Sequence, residues 1–145
     1  MTIIMHCWWQ ILVAAAAYFA LGAIWFNPRV FGTVWMKGHG IVMDPEKRKE
    51  ANMGMIFGSS YVLTVLVCSA ICWTCVVSGC GMECGPETLW NCIRTGIMIG
   101  GVMACSIAIT YLYLQKPLSA FVTDGGYHIV GSILASLVMH WLGCC

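Results

Sequence analysis

Charge is what this sequence has least of. Seven Lys and Arg and six Asp and Glu make up 9% of its 145 residues, where a soluble domain carries about 25%. A net charge of +1 provides no basic patch for a phosphate backbone, which excludes nucleic acid as a partner. There is no glycine-rich phosphate cradle, no nucleophile–base–orienter set and no pair of carboxylates, so nothing points to an enzyme or to a cofactor. Only Met1 and Thr2 precede the first apolar run. That leaves no room for a charged n-region or an Arg/Ser-rich transit peptide, and the run itself is expected to act as the targeting signal.

Hydrocarbon fills the chain instead, at 60% hydrophobic residues. A helix that crosses a bilayer needs about 20 mostly apolar residues, and segments 3–26, 55–79, 89–115 and 119–142 qualify. The expected fold is all-α: one integral membrane domain over residues 1–145, with four transmembrane helices. The connections after the second and third spans are short, which makes neighbouring helices antiparallel in an up-down bundle. The lipid bilayer is then the first partner.

The last span carries Asp124, His128, Ser132, Ser136 and His140 at a strict spacing of four. Residues four apart share a helix face, so these five form a polar stripe on a greasy rod. Ionisable groups at membrane depth are costly unless they face protein or water. The span is therefore expected to pack inside something.

The long connection, 27–54, and the Lys116–Pro117 turn share one membrane face, with Arg29, Lys37, Lys47, Arg48, Lys49 and Lys116. The opposite face holds Glu83 and Glu87, with Arg94 just inside the third span. This bias places the long loop in the cytoplasm, or in the matrix or stroma of an organelle, and both termini on the other side. Within the loop, Asn27-Pro28 reads as an N-cap with proline at the first helical position. Val30, Phe31, Val34 and Trp35 then gather on one side, predicting a short helix in the headgroup layer between the first and second spans. Gly38 and Gly40 end it. Asp44-Pro45 repeats the cap signal, and the charged run 46–52 is expected to continue straight into the second span.

Gly96, Gly100, Ala104 and Ala108 give the third span a stripe of small residues, which lets helix backbones approach closely in lipid. It marks either the packed helix of the bundle or an interface with another subunit. Gly54 and Gly58 repeat the pattern more weakly, and Gly131 and Ala135 offer small residues beside the polar stripe. At 1.5 Å per residue, Arg94 and Asp124 differ in depth by roughly 24 Å and cannot pair within one protomer. Arg94 is expected to snorkel towards Glu83 or Glu87, and Asp124 to look to Arg29 or Lys116.

Two stretches carry a family resemblance. One is Gly22-Ala-Ile-Trp-Phe-Asn-Pro-Arg-Val-Phe-Gly-Thr-Val-Trp-Met36. The other is Lys116-Pro117 followed by Asp124-Gly-Gly-Tyr-His128. They resemble a widespread family of small four-helix membrane proteins, a domain of unknown function, with Asp124 standing where Asn is more usual. The resemblance implies the fold and no reaction. Trp25, Asn27, Pro28, Phe31, Gly32, Trp35, Asp124, Tyr127 and His128 carry it, and their positions suggest one cluster joining the ends of the first and last spans.

Asp124 and His128 are one turn apart and suit a proton relay, since histidine titrates near neutrality. The plain alternative is a hydrogen-bonded pair that orients Tyr127 or caps the Asn27-Pro28 turn. Cys7, Cys80, Cys84, Cys92, Cys144 and Cys145 gather near the outer face with His6 and His140, which opens disulfide, zinc, copper or bis-histidine haem readings. Cys68, Cys72, Cys75 and Cys105 lie inside spans, however, where cysteine serves as a small hydrophobe. No metal site is expected. The terminal Cys144-Cys145 resembles a prenylation signal but stands on the wrong face.

These features favour a non-catalytic subunit packed within, or at the edge of, a larger membrane complex with other membrane subunits. An energy-transducing assembly of an organellar inner membrane, such as the mitochondrial one, is one such host. The alternative is a small oligomeric transporter or proton-conducting protein that uses the Asp124–His140 stripe.

Overall fold

A computed structural model describes residues 7–41, 52–77 and 86–143. Helix α1 spans Trp8–Trp25 and is followed by a π-helical turn, Pro28–Gly32, and the short helix α2, Thr33–His39. Helices α3 (Met53–Val77), α4 (Pro86–Tyr113) and α5 (Leu118–Trp141) complete the fold, with no strand among the described residues. α1, α3, α4 and α5 are each long and apolar enough to cross a membrane. The protein is an all-α, multi-pass membrane protein with a short helix after its first span.

Three helix starts depart from the hydropathy reading, α4 beginning at Pro86 and not at residue 89. The first described helical residue is Trp8, and residues 1–6 lie outside the described residues. α3 begins afresh at Met53: the Asn52 side chain accepts the Met55 N–H at 3.1 Å, capping an otherwise unpaired donor. The expected run-through from the charged segment therefore fails at Asn52, and the rest of that segment lies outside the described residues.

α5 lies at the centre and touches each of the other four helices. Its tightest neighbour is α4, which packs antiparallel to it by stepping down the stripe of small residues. A Cβ on Gly96 would stand 2.7 Å from the Ile133 Cα, and one on Gly100 would stand 2.6 Å from the Ile129 Cα. Ala104 is buried, and its Cβ would lie 3.3 Å from a Cβ on Gly125. Ala108, one step further, is half-buried. The stripe thus faces α5 within one chain, and close backbone approach replaces the hydrophobic drive that lipid cannot supply. Gly54 and Gly58 do not share this role: only Asn52 comes near Gly54, and nothing lies within 4 Å of Gly58.

α1 packs on another face of α5. The Tyr18 ring occupies the space where a side chain on Gly131 would stand, and Trp25 lies over Gly126. The core continues through Ile11, Ala14 and Ala15 of α1, Cys92 of α4, and Ala135 and Met139 of α5. Cys68, Ile71, Cys72 and Cys75 bring the second half of α3 into it, all fully buried. The cysteines act here as compact apolar side chains, whereas Cys105 is exposed. Cys80, Cys84, Cys144, Cys145 and His6 lie outside the described residues.

The first half of α3 leans away. Residues 52–60 are exposed throughout, and contact with α1 is kept by Phe19 against Phe57 and Tyr61, ring centres 6.1 and 6.0 Å apart. A crevice of about 980 Å³ opens between α3, α1 and α5. Several hydroxyls on the spans are satisfied within their own helix. Ser59, Thr64, Ser69, Thr74, Ser106, Thr110 and Thr123 each donate to the carbonyl four residues back, as the absence of water requires.

Gly100→Leu is expected to lower stability by about 1–3 kcal/mol through overpacking, because the added side chain meets Ile129 backbone. Gly101→Leu meets nothing within 4 Å and should be neutral or slightly stabilising. Thermal unfolding of the two variants in mild detergent makes the comparison, and equal melting temperatures would contradict the α4–α5 contact.

Candidate functional site

The site is built where the chain leaves α1. The Asn27 side chain accepts the Arg29 N–H at 3.0 Å, and Pro28 holds the first helical position, where its missing N–H costs nothing. The Gly32 N–H then reaches back five residues to the Asn27 carbonyl at 2.9 Å, closing the wide π turn. A Cβ on Gly32 would run into the Phe26 and Asn27 backbone, so only glycine fits between Phe31 and Thr33. α2 follows and stops at Gly40, whose φ of +70° is the left-handed cap that glycine adopts freely. Gly38 lets α2 lie against the start of α5, where its Cβ would be 2.9 Å from that of Ala120.

Aromatic side chains fasten this corner. Trp25 packs on Phe31, ring centres 4.7 Å apart, and on Tyr127 at 6.5 Å. Phe26 bridges Trp35 at 5.4 Å and Tyr127 at 5.1 Å. The Trp25 indole N–H donates to the Thr123 carbonyl at 3.0 Å, which ties α1 to the second turn of α5. Val30, Phe31 and Val34 are exposed, as on a helix lying at a membrane edge.

Beneath this layer three side chains from three helices converge. The Tyr111 hydroxyl of α4 donates to Asp124 Oδ2 of α5 at 2.5 Å. His39, the last residue of α2, places Nε2 2.8 Å from the same hydroxyl and 3.3 Å from the same carboxylate oxygen. Its Nδ1 donates to the Trp35 carbonyl at 2.9 Å. The His39 and Asp124 side chains are only 18% and 13% exposed, so protein, not solvent, satisfies them. A carbonyl only accepts, which fixes a proton on His39 Nδ1. Two arrangements satisfy the remaining atoms. In one, Nε2–H donates to Tyr111, which donates to the carboxylate. In the other, a protonated carboxyl donates to Tyr111, which donates to Nε2. They differ by the place of one proton along a three-atom line.

Asp124 therefore does not pair with Arg29 or Lys116, as charge alone suggested. α2 delivers His39 first, and Lys116 Nζ donates instead to the His39 carbonyl at 3.3 Å, where a cation suits a helix C-terminus. Nor do Asp124 and His128 bond to each other. His128 faces α1: the Tyr18 hydroxyl lies 3.0 Å from its Nδ1 and 3.3 Å from its carbonyl oxygen. Ser132 and Ser136 are fully buried further along, and His140 is half-buried near the end of α5. The Ser136 hydroxyl donates to the Ile133 carbonyl at 2.9 Å, beside Gly96. The stripe is thus turned into the bundle, and its members meet different neighbours. Arg94 is exposed, and the side chains of Glu83 and Glu87 lie outside those described. Among the described residues no three His, Cys, Asp or Glu side chains converge as metal ligands.

A family described as protein of unknown function, DUF1761, matches residues 9–140. The chain belongs to that family. No curated protein and no solved structure matches it. The match takes in the α1–α2 corner, the Tyr111–Asp124–His39 cluster and the Tyr18–His128 pair, so the DUF1761 region contains every contact described above.

Sequence reasoning overlooked His39, Tyr111 and Tyr18. Tyr111 stands near the same membrane edge as Asp124, a depth match that would have nominated it. His39 sits between two glycines that read as a helix stop, and nothing local shows that α2 folds under α5. Tyr18 is one aromatic in a greasy span, and only the facing Gly131 hints at its place.

Tyr111→Phe leaves Asp124 with one fewer donor in a low-dielectric setting and should destabilise by about 1–3 kcal/mol. Combined with His39→Ala, the loss should fall short of the sum by at least about 0.5 kcal/mol, because both side chains serve one carboxylate. A double-mutant cycle read by denaturation in mixed micelles checks this, and strict additivity would dissolve the cluster into unrelated contacts.

Proposed function

We propose that the protein is a non-catalytic integral membrane subunit that packs within, or at the edge of, a larger membrane assembly. The supporting observation is the use made of the α5 stripe. Asp124 bonds Tyr111 and His39, His128 bonds Tyr18, and Ser132 and Ser136 are sealed between helices. The polar groups meet one another across helix contacts and so hold the bundle together. The half-seated α3, exposed over residues 52–60, offers apolar helix surface to a neighbouring subunit. In this reading the end bearing Arg29, Lys37 and Lys116 faces the cytoplasm or an organellar matrix, in keeping with the distribution of basic residues.

Extraction of native membranes in mild detergent, followed by native electrophoresis and detection of the chain, tests this. Migration in a large, discrete complex is the expected result, and a lone small species defeats the reading.

A second reading, proton conduction by an oligomer of the chain, is favoured by one observation: the two proton arrangements open to the His39–Tyr111–Asp124 line. Reconstituted vesicles decide it. Conduction requires a proton flux that disappears when Asp124→Asn is combined with His128→Ala, and a flux that persists in that variant places the path elsewhere.

A further inference from the structure

The crevice beside α3 has one closed end, and that end is polar. It runs from Asn27, just past α1, up to Tyr18, and along α3 from Ile56 to Val67, a length of about 14–17 Å at 1.5 Å per residue. This is about half of a hydrocarbon layer about 30 Å thick. Beyond it the bundle shuts, because Cys68, Ile71 and Cys72 of α3 are fully buried. A spanning helix of another subunit would cross the whole layer and could lie along the outer side of α3, but it would not end at the crevice's closed end. The occupant is something that ends halfway through the membrane.

His128 and Tyr18 line the closed end. The Tyr18 hydroxyl has one proton and two acceptors in reach, Nδ1 of His128 at 3.0 Å and the His128 carbonyl at 3.3 Å. The carbonyl already serves its own helix, and the ring nitrogen is nearer. With the Tyr18 proton given to Nδ1, neutral imidazole carries its own proton on Nε2. That N–H is a donor in a hydrocarbon setting, where an unmet donor is costly. A fatty acyl chain would press a methyl group against it and leave it unmet. An acceptor oxygen on the occupant would satisfy it.

The walls indicate what carries that oxygen. Five aromatic rings, Tyr18, Phe19, Phe26, Phe57 and Tyr127, surround the one cavity, a lining suited to stacking and edge contacts with a flat ring. Its volume of about 980 Å³ falls at the upper end of ligand sites, roughly 300–1,000 Å³ and mostly apolar with a few placed polar groups. We propose that the crevice between α1, α3 and α5 binds a membrane-dissolved molecule bearing a flat ring with a carbonyl oxygen, a quinone-type lipid, whose carbonyl accepts from His128 and whose tail leaves through the open side. The site belongs to the single chain and stands whether or not the chain is a subunit.

The test uses the full-length purified chain in phosphatidylcholine nanodiscs, with a benzoquinone carrying a ten-carbon tail as probe. Trp25, one ring away from the crevice through its contact with Tyr127, reports binding through quenching of tryptophan fluorescence. Saturable quenching is expected, with decylbenzene, which has the ring and tail but no oxygen, competing at least about fivefold more weakly, as one hydrogen bond implies. His128→Phe keeps a ring but removes the donor and should weaken the quinone by about the same factor, while leaving competition by decylbenzene unchanged. Ser60→Phe, at an exposed position on the α3 wall, fills the crevice and should abolish saturation without disturbing the fold. Quenching that never saturates overturns the proposal. So does equal competition by decylbenzene, which would make the crevice a lipid-filled gap, and so does binding that survives Ser60→Phe. If His128→Phe does not fold, the decylbenzene and Ser60→Phe results still decide.

Discussion

A carboxylate and an imidazole on one membrane helix must find partners in a medium that offers none, and that demand orders the bundle around α5. Asp124 draws His39 and Tyr111 from two different helices, and His128 draws Tyr18 from a third. Water would satisfy the same groups at no structural cost. In hydrocarbon each unmet group is expensive, so the partners become fixed points of the fold. α5 thereby touches every other described helix, and it is the least apolar of the four spans.

The contacts around α5 are of three physical kinds. Against α4 the contact is backbone on backbone, made possible by Gly96 and Gly100, and its strength is summed dispersion at short range. Against α1 it is ring against groove: Tyr18 fills the place left by Gly131, and Trp25 covers Gly126. Against α2 it is polar and charge-assisted, through His39 and Lys116. α3 meets α5 by none of these over its first half, where Phe57 and Tyr61 pack on Phe19 of α1 instead, and its second half enters the core through its buried cysteines and Ile71. The crevice follows from that inequality, since three helices are claimed by α5 and the fourth is held at one end.

What could be read from the residues follows the range over which each signal acts. Hydropathy is local, so the four spans stood out, with starts shifted by a few residues where a cap such as Asn52 intervenes. Asn27-Pro28 and Gly40 are likewise local, and the helix between them lies where they mark it. The spacing-of-four stripes on α4 and α5 named two helix faces without saying which surfaces they meet. In the fold the two stripes turn towards the same bundle interior, Gly96 lying beside both Ile133 and Ser136. Charge reasoning failed for Asp124 because it counted formal cations and passed over a histidine seven residues into a helix that folds back under α5. Tyr18 was invisible for the same reason, its partner being 110 residues away in the chain.

The order of these helices along the chain has a consequence for how the bundle is made. α5, which supplies the contacts for all the others, is the last of the described helices to leave the ribosome. Until it emerges, Tyr18 and Trp25 of α1 and the glycines of α4 have no facing surface, and only contacts such as Phe19 with Phe57 and Tyr61 between α1 and α3 can form. The central packing is thus held back to a late event, and a chain stopped ahead of residue 118 would lack the helix around which the others gather.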